Sequence, residues 1–270
     1  MPPLLTPHEL TLKTAEPHSL ISVHNLSTVL PLARDAWGRP SKPQPLLISC
    51  SLSLRHPFSS ASSTDTVTNS TIHYGLLSKA LLQACEEFKE LCGDDVMPMP
   101  MHLRALVCYL QFYLTGCDTL PHVRSNLNVN ESTNPGGPKS KSEKGREPIV
   151  NCSLLSSLSI EILLPKASLL GSGVSLKADF IYEDGHHGPS AYSMVLRLRE
   201  LRVPTIIGVN GNERKARQVV VATVEMERWD RMVDAYNELE EIVVKVFPSL
   251  YLFLPHSFSR RFRYGEECCC

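Results

Sequence analysis

Ser62-Ser63-Thr64-Asp65-Thr66-Val67-Thr68-Asn69-Ser70-Thr71-Ile72-His73-Tyr74, followed by Gly75, joins an alternating strand to an amphipathic helix. The stretch is too long and too particular in composition for a plain connector. Short polar side chains at this density satisfy backbone groups themselves and hold a loop in one shape. A loop held in this way, ending in an aromatic hydroxyl at a helix start, suits the wall of a pocket.

Upstream of this loop, Ser19 to Leu30 and Pro45 to Leu54 alternate apolar and polar residues as half-buried strands do, and Asp35 to Pro40 is rich in turn residues. The pair reads as a hairpin with a long tip. Downstream, Leu76, Leu77, Ala80, Leu81, Ala84, Cys85, Phe88 and Leu91 recur every three or four residues, which is one face of a helix from Tyr74 to Leu91, closed by Gly93. A second helix is expected over His102 to Leu114. Residues 126–148 are dominated by Asn, Ser, Pro, Gly and Lys, bury too little apolar surface to order themselves, and read as a disordered insertion. Residues 1–18 read as a disordered N-terminus. Ser157 to Leu164 and Val174 to Tyr182 alternate again as a second hairpin. The expected fold is therefore α+β, a four-stranded antiparallel sheet with two helices on one face.

The pattern then restarts. Tyr192 to Val209 and Gln218 to Glu227 read as another strand pair, and Trp229 to Phe247 as an amphipathic helix carrying Met232, Val233, Tyr236, Leu239, Ile242, Val243 and Val246. This is half of a second copy of the unit. The domain reading is a first unit over 19–185, a partial second unit over 190–247 and an atypical tail over 248–270. The tail has neither strand nor helix period and ends in three cysteines. A splicing or gene-model error is the favoured account of it over a prenylated tail, since its residues form no C-a-a-X box.

A net charge of −1 offers no field to attract nucleic acid or an anionic membrane surface. The longest apolar stretch, Ile242 to Phe258, is cut by Lys245, Pro248, Pro255 and His256 and falls short of a membrane span. The N-terminus lacks a basic run followed by an apolar core, so no secretory signal is expected and a cytoplasmic protein is. The sequons at Asn25, Asn69, Asn130 and Asn151 would matter only in a secreted chain. Nine cysteines include no C-x-x-C pair, and reduced, buried thiols are expected. His186 and His187 have no third ligand nearby in sequence, so no metal is expected.

The polar loop carries a resemblance. Asp65 to Gly75, D-T-V-T-N-S-T-I-H-Y-G, resembles the loop between second strand and first helix in the dihydroneopterin aldolase/epimerase family. Ile160-Glu161-Ile162-Leu163-Leu164-Pro165-Lys166-Ala167 is similar to the family strand that ends in a catalytic lysine. Leu201 to Val209 with Glu213 and Gln218 resembles the family's first strand and loop, and Trp37-Gly38-Arg39-Pro40 through Gln44 resembles the same loop in the first copy. The resemblance spans about residues 19 to 247 and is nearest to the tandem copies that open fungal folate-synthesis proteins. It implies the tunnelling fold (T-fold), in which units assemble side by side into a ring and each pocket lies between neighbours.

Family members split 7,8-dihydroneopterin into 6-hydroxymethyl-7,8-dihydropterin and glycolaldehyde, a retro-aldol reaction without metal or Schiff base. The resemblance therefore implies a cytoplasmic lyase of folate biosynthesis, a pterin substrate, a homo-oligomer and no cofactor. Because the pterin ring is the electron sink, the protein has to bind it and move protons. Carried over by position, Lys166 matches the catalytic lysine and Tyr74 the tyrosine that relays a proton. Thr71 and Ile72 match the backbone that lines the pterin, and Glu213 matches a pterin-binding glutamate. The family glutamate of the first strand loop is replaced in the first copy by Arg39, and that of the second helix by Arg104. A guanidinium only donates and cannot accept from the pterin amino group.

Each residue also has a plainer reading. Lys166 at a strand end suits a solvated lysine, Tyr74 could cap the loop and pack on the sheet, and Glu213 could pair with Arg214 or Lys215 in a turn. The alternative function is a catalytically degenerate T-fold unit that provides an assembly surface or pocket wall. Arg39 and Arg104 favour that alternative, while Lys166 and Tyr74 favour the enzyme.

Overall fold

The computed structural model describes residues 2–14, 16–57, 72–93, 101–117, 148–184, 186, 188–207 and 212–250. Among these lie four α-helices, α1 (Pro7–Lys13), α2 (Tyr74–Gly93), α3 (Leu103–Thr115) and α4 (Tyr236–Leu250). The strands are β1 (Ser19–Leu30), β2 (Gln44–Leu54), β3 (Leu155–Leu164), β4 (Gly173–Tyr182), β5 (Pro189–Thr205) and β6 (Gln218–Glu227). Residues 62–71 and 126–147, which carry most of the polar loop and the expected insertion, lie outside the described residues.

The strands form one antiparallel sheet in chain order, β1-β2-β3-β4-β5-β6. The α+β class is as expected, but the sheet has six strands rather than four. The edge of β4 carries free backbone donors and acceptors. β5 starts at Pro189 beside Tyr182 and takes up those groups, so the second strand pair extends the first sheet instead of forming its own.

Alternation decides the core. Leu46, Ile48, Cys50, Leu52 and Leu54 of β2 point to one face with Leu158, Ile160, Ile162 and Leu164 of β3, and α2, α3 and α4 cover this face in a single apolar cluster. Leu77, Leu81, Cys85 and Phe88 of α2 are buried there at the helical spacing read from sequence. On the opposite face stand Ser51, Ser159, Glu161, Ser175, Arg197 and Arg199, where the Glu161 carboxylate accepts from Ser175 (2.9 Å) and Arg199 (2.6 Å).

α1 packs on that opposite face, where the sequence reading expects disorder over residues 1–18. Thr6 and Glu9 close a capping box around Pro7, Leu10 is buried against Ile181 and Ala191, and the Leu5 amide donates to the Tyr192 carbonyl at 2.8 Å. A helix whose buried stripe is one leucine wide leaves no period to detect. α4 is shorter than the expected helix from Trp229 to Phe247. Residues before Tyr236 are held elsewhere: the Trp229 amide donates to Met194, Asp230 takes Arg104, and Asp234 takes the Leu103 amide.

The β1–β2 and β5–β6 pairs share their irregularities. Each first strand bulges at a residue with positive φ, Asn25 (54°) and Glu200 (51°), and each of those amides donates to a hydroxyl on the partner strand, Ser49 at 3.1 Å and Thr223 at 3.2 Å. Each second strand opens with a glutamine, Gln44 opposite Leu30 and Gln218 opposite Thr205. The Gln44 amide donates to the carbonyl of Leu32 and that of Gln218 to Ile207. A helix follows in both cases.

Candidate functional site

Antiparallel pairing puts the β1–β2, β3–β4 and β5–β6 connections at one end of the sheet. Lys166 stands there, exposed, in the turn that follows β3. The turn is tight: Gly173 has φ 128°, and a Cβ on it would come within 2.5 Å of the Leu164 carbonyl. α4 clamps the same turn, because the buried Glu240 carboxylate accepts from the amides of Leu169 (3.1 Å) and Leu170 (3.0 Å). Glu213 opens a 3-10 turn, Glu213–Lys215, in the β5–β6 connection at this end.

Tyr74 lies at the other end of the molecule. The C-terminus of α3 meets the start of β3, where the Val150 amide donates to Leu114. α2 packs on α3 through Phe88 and Tyr109, and two packed helices joined by a short connection run antiparallel. The first turn of α2 therefore sits away from the Lys166 turn. Tyr74 is 65% exposed, with its ring stacked on His73 at 4.6 Å. Ile72 is half buried against the core. Thr71 and the Glu213 side chain lie outside the described residues.

Arg39 and Arg104, which stand at the glutamate positions of the resembled family, are both engaged with aspartates. Asp35 organises the β1–β2 tip: its carboxylate accepts from the amides of Trp37 (3.0 Å) and Arg39 (2.9 Å) and from the Arg39 guanidinium (2.7 Å), which also lies over the Trp37 ring. Burial opposes the charge on Asp35, but the hydrogen bonds from Arg39 and Trp37 hold its carboxyl below the usual range. Arg104 is buried and ion-paired to Asp230, which also accepts from the Tyr192 hydroxyl at 2.8 Å. His102 caps α3 by accepting the Ala105 amide, and burial lowers its pKa to about 4, so it is neutral.

Sequence reasoning missed the polar cluster where α4 meets the β1–β2 tip. The Tyr236 hydroxyl accepts from the Arg34 amide at 2.8 Å and donates to the Arg34 carbonyl. Asn237 donates to the Asp35 carbonyl at 3.0 Å, and Arg34 pairs with Glu238. Gln44 Oε1 and Asn237 Oδ1 are buried acceptors without a hydrogen-bond partner among the described residues. The repeated glutamine at the start of β2 and β6 was the one available signal. Burial raises the Asp234 carboxyl to about 6, against the Leu103 amide, which favours its charge.

The arrangement offers an exposed amine at one end and an exposed phenol at the other, chemistry suited to proton transfer rather than to a nucleophilic triad. Among the described residues no three His, Cys, Asp or Glu side chains gather as a metal site requires, and no helix is long and apolar enough to cross a membrane.

No family model matches the chain, and no curated protein matches it. Solved structures do. FolB of Vibrio cholerae, named as a dihydroneopterin aldolase, is 12% identical, with 60% of this chain and 97% of that chain covered and a TM-score of 0.34. Dihydroneopterin aldolase from Burkholderia thailendensis bound to guanine is 10% identical over 61% and 92%, with a TM-score of 0.34. A uricase from Bacillus fastidious is 8% identical over 86% and 72%, with a TM-score of 0.47. At these identities and scores the likeness assigns no activity.

Proposed function

We propose that this chain is a dihydroneopterin aldolase-type lyase whose pocket is completed by a neighbouring copy. The observation that carries the reading is the pair Lys166 and Tyr74. Both are exposed, neither is committed to the core, and they stand at opposite ends of the molecule, an arrangement that suits a pocket shared between neighbouring copies. The domain reading that accompanies it is a first T-fold unit over 19–185 and a partial second unit over 190–247, supported by the matched bulges at Asn25 and Glu200.

In this reading the amine of Lys166 exchanges a proton with the pterin ring, while Tyr74 of the neighbour takes the proton from the side-chain hydroxyl as the carbon–carbon bond breaks. Thr71, Ile72 and Glu213 hold the pterin. The chemistry asks for proton transfer worth about 10²–10⁴ in rate and no bound metal. Purified protein incubated with 7,8-dihydroneopterin is expected to release glycolaldehyde and 6-hydroxymethyl-7,8-dihydropterin. No product at high protein concentration, with the fold intact by circular dichroism, rejects the lyase.

One observation favours a second reading, a degenerate unit that provides an assembly surface. Arg104 is locked to Asp230 and Arg39 to Asp35, so the first unit presents no acceptor at either glutamate position. Under this reading the protein sediments as an oligomer yet binds no pterin. A monomer in sedimentation counts against both readings.

A further inference from the structure

We propose that Cys117 and Cys152 form an oxidisable dithiol, a site at which a hydroperoxide installs a disulfide between the end of α3 and the residue group that opens β3. The two Sγ atoms lie 2.7 Å apart and both are partly exposed. The sequence hides the pair, since 34 residues separate the two positions and no C-x-x-C spacing announces them.

The backbone around the pair is held in register by contacts that do not involve sulfur. The Val150 amide donates to the Leu114 carbonyl at 2.9 Å, and a Cβ on Gly116 would lie 3.3 Å from Pro148. Gly116 ends α3 in the left-handed conformation, which turns Cys117 back towards residue 152. On the other side, the Asn151 side chain accepts the Ser153 amide and starts the 3-10 turn that carries Cys152. The Thr115 carbonyl lies 3.4 Å from each sulfur. Thiols held this close need little backbone movement to bond.

The two sulfurs differ in acidity. The hydrogen bond between the two sulfurs lowers the Cys117 pKa to about 7, while Cys152 is raised by the same bond and by burial. Cys117 is thus the thiolate and attacking atom. Burial instead pushes Cys50 and Cys85 up to about 12 and Cys92 up to about 11, which leaves them unreactive thiols. In the first step the Cys117 thiolate attacks hydrogen peroxide. An S–O bond forms, the O–O bond breaks, and the departing hydroxide takes a proton to become water. In the second, Cys152 attacks Sγ of the Cys117 sulfenic acid. The S–S bond forms, the S–O bond breaks, and hydroxide leaves with the Cys152 proton as water. Each sulfur loses one electron, and the peroxide gains both.

The test uses the full chain, reduced, then treated with hydrogen peroxide, alkylated and digested with trypsin without reductant. The expected result is a cross-linked pair of peptides, 105–124 with 147–166, whose fragmentation places the bond on Cys117 rather than Cys108, together with the loss of two titratable thiols. Cys152→Ser is expected to remove the cross-link and leave a dimedone-reactive sulfenic acid on Cys117. Both thiols remaining alkylatable after peroxide treatment of folded wild-type protein overturns the proposal, as does a disulfide that joins either residue to a different cysteine. The wild-type digest decides the matter even if a serine variant fails to fold.

Discussion

Arg104 and Asp230 form an ion pair across the interface between the first turn of α3 and the residues that follow β6, with side chains 7% and 15% exposed. The Tyr192 hydroxyl donates to the other oxygen of the same carboxylate, so a strand, a helix and a connection meet at one charge. A charge taken out of water this completely is tolerated only while its partner stays.

Removing the cation should therefore be expensive. Arg104→Met is expected to lower stability by about 3–5 kcal/mol, because Asp230 is left buried without a counter-charge. Arg104→Glu, which restores the acidic residue of the resembled family, should be worse than Arg104→Met. Urea unfolding followed by tryptophan fluorescence checks both, since Trp229 neighbours the pair in sequence. An Arg104→Met protein as stable as the wild type would refute the ion pair as a structural tie.

Lys166 separates chemistry from stability. It is exposed and makes no ion pair among the described residues, so Lys166→Ala is expected to change stability by no more than about 0.5 kcal/mol. If the lyase reading holds, the same change lowers turnover of 7,8-dihydroneopterin by about 10²–10⁴. Tyr74→Phe should behave alike. Mixing the two inactive chains after joint unfolding and refolding should recover activity, because some pockets then pair an intact lysine with an intact tyrosine.

Asp234 predicts a pH dependence. Its carboxyl is raised to about 6 in the folded chain from the usual value of 3.8, so the folded state binds that proton more tightly than the unfolded state does. The contribution is favourable below about 4 and is lost as pH rises through about 6. Asp234→Asn keeps an oxygen to accept the Leu103 amide and removes the buried charge. It should raise stability at pH 7.5 by on the order of 2 kcal/mol and have almost no effect near pH 4. A stability difference between variant and wild type that stays constant from pH 4 to 7.5 would count against this.

Tyr236→Phe tests the contact between α4 and the β1–β2 tip. The hydroxyl serves both the amide and the carbonyl of Arg34; its loss leaves the amide unpaired beside a fully buried ring, while the carbonyl keeps the Gln44 side-chain amide at 3.1 Å. The expected loss is about 1–3 kcal/mol, read as a lower urea midpoint with unchanged slope. A changed slope would instead signal that α4 had detached.

Much of the fold was legible from single residues and their spacing. The serine and leucine alternation of β2 and β3 named both the strands and the face they bury, and Leu77, Leu81, Cys85 and Phe88 lie on the buried side of α2. These signals are local, because a strand or helix half in contact with a core prints its period on the chain. α1 escaped notice because a capping box and one buried leucine make no period. The start of α4 was misjudged because Asp230 and Asp234 are held by Arg104 and Leu103, more than a hundred residues away in the chain.

The sequence by itself determined the strand and helix pattern, α1 and the start of α4 excepted, and the residue types at which Lys166 and Tyr74 stand. Only the tertiary structure decided that the second strand pair joins the first sheet through β4. It also decided that Lys166 and Tyr74 sit at opposite ends, that Arg39 and Arg104 are occupied by Asp35 and Asp230, and that Cys117 meets Cys152. Apart from the Arg39–Asp35 pair, which is local (i,i+4), these share one physical reason. Edge pairing, buried ion pairs and thiol contacts depend on where distant segments meet, and that is set by packing the whole core rather than by any neighbour along the chain.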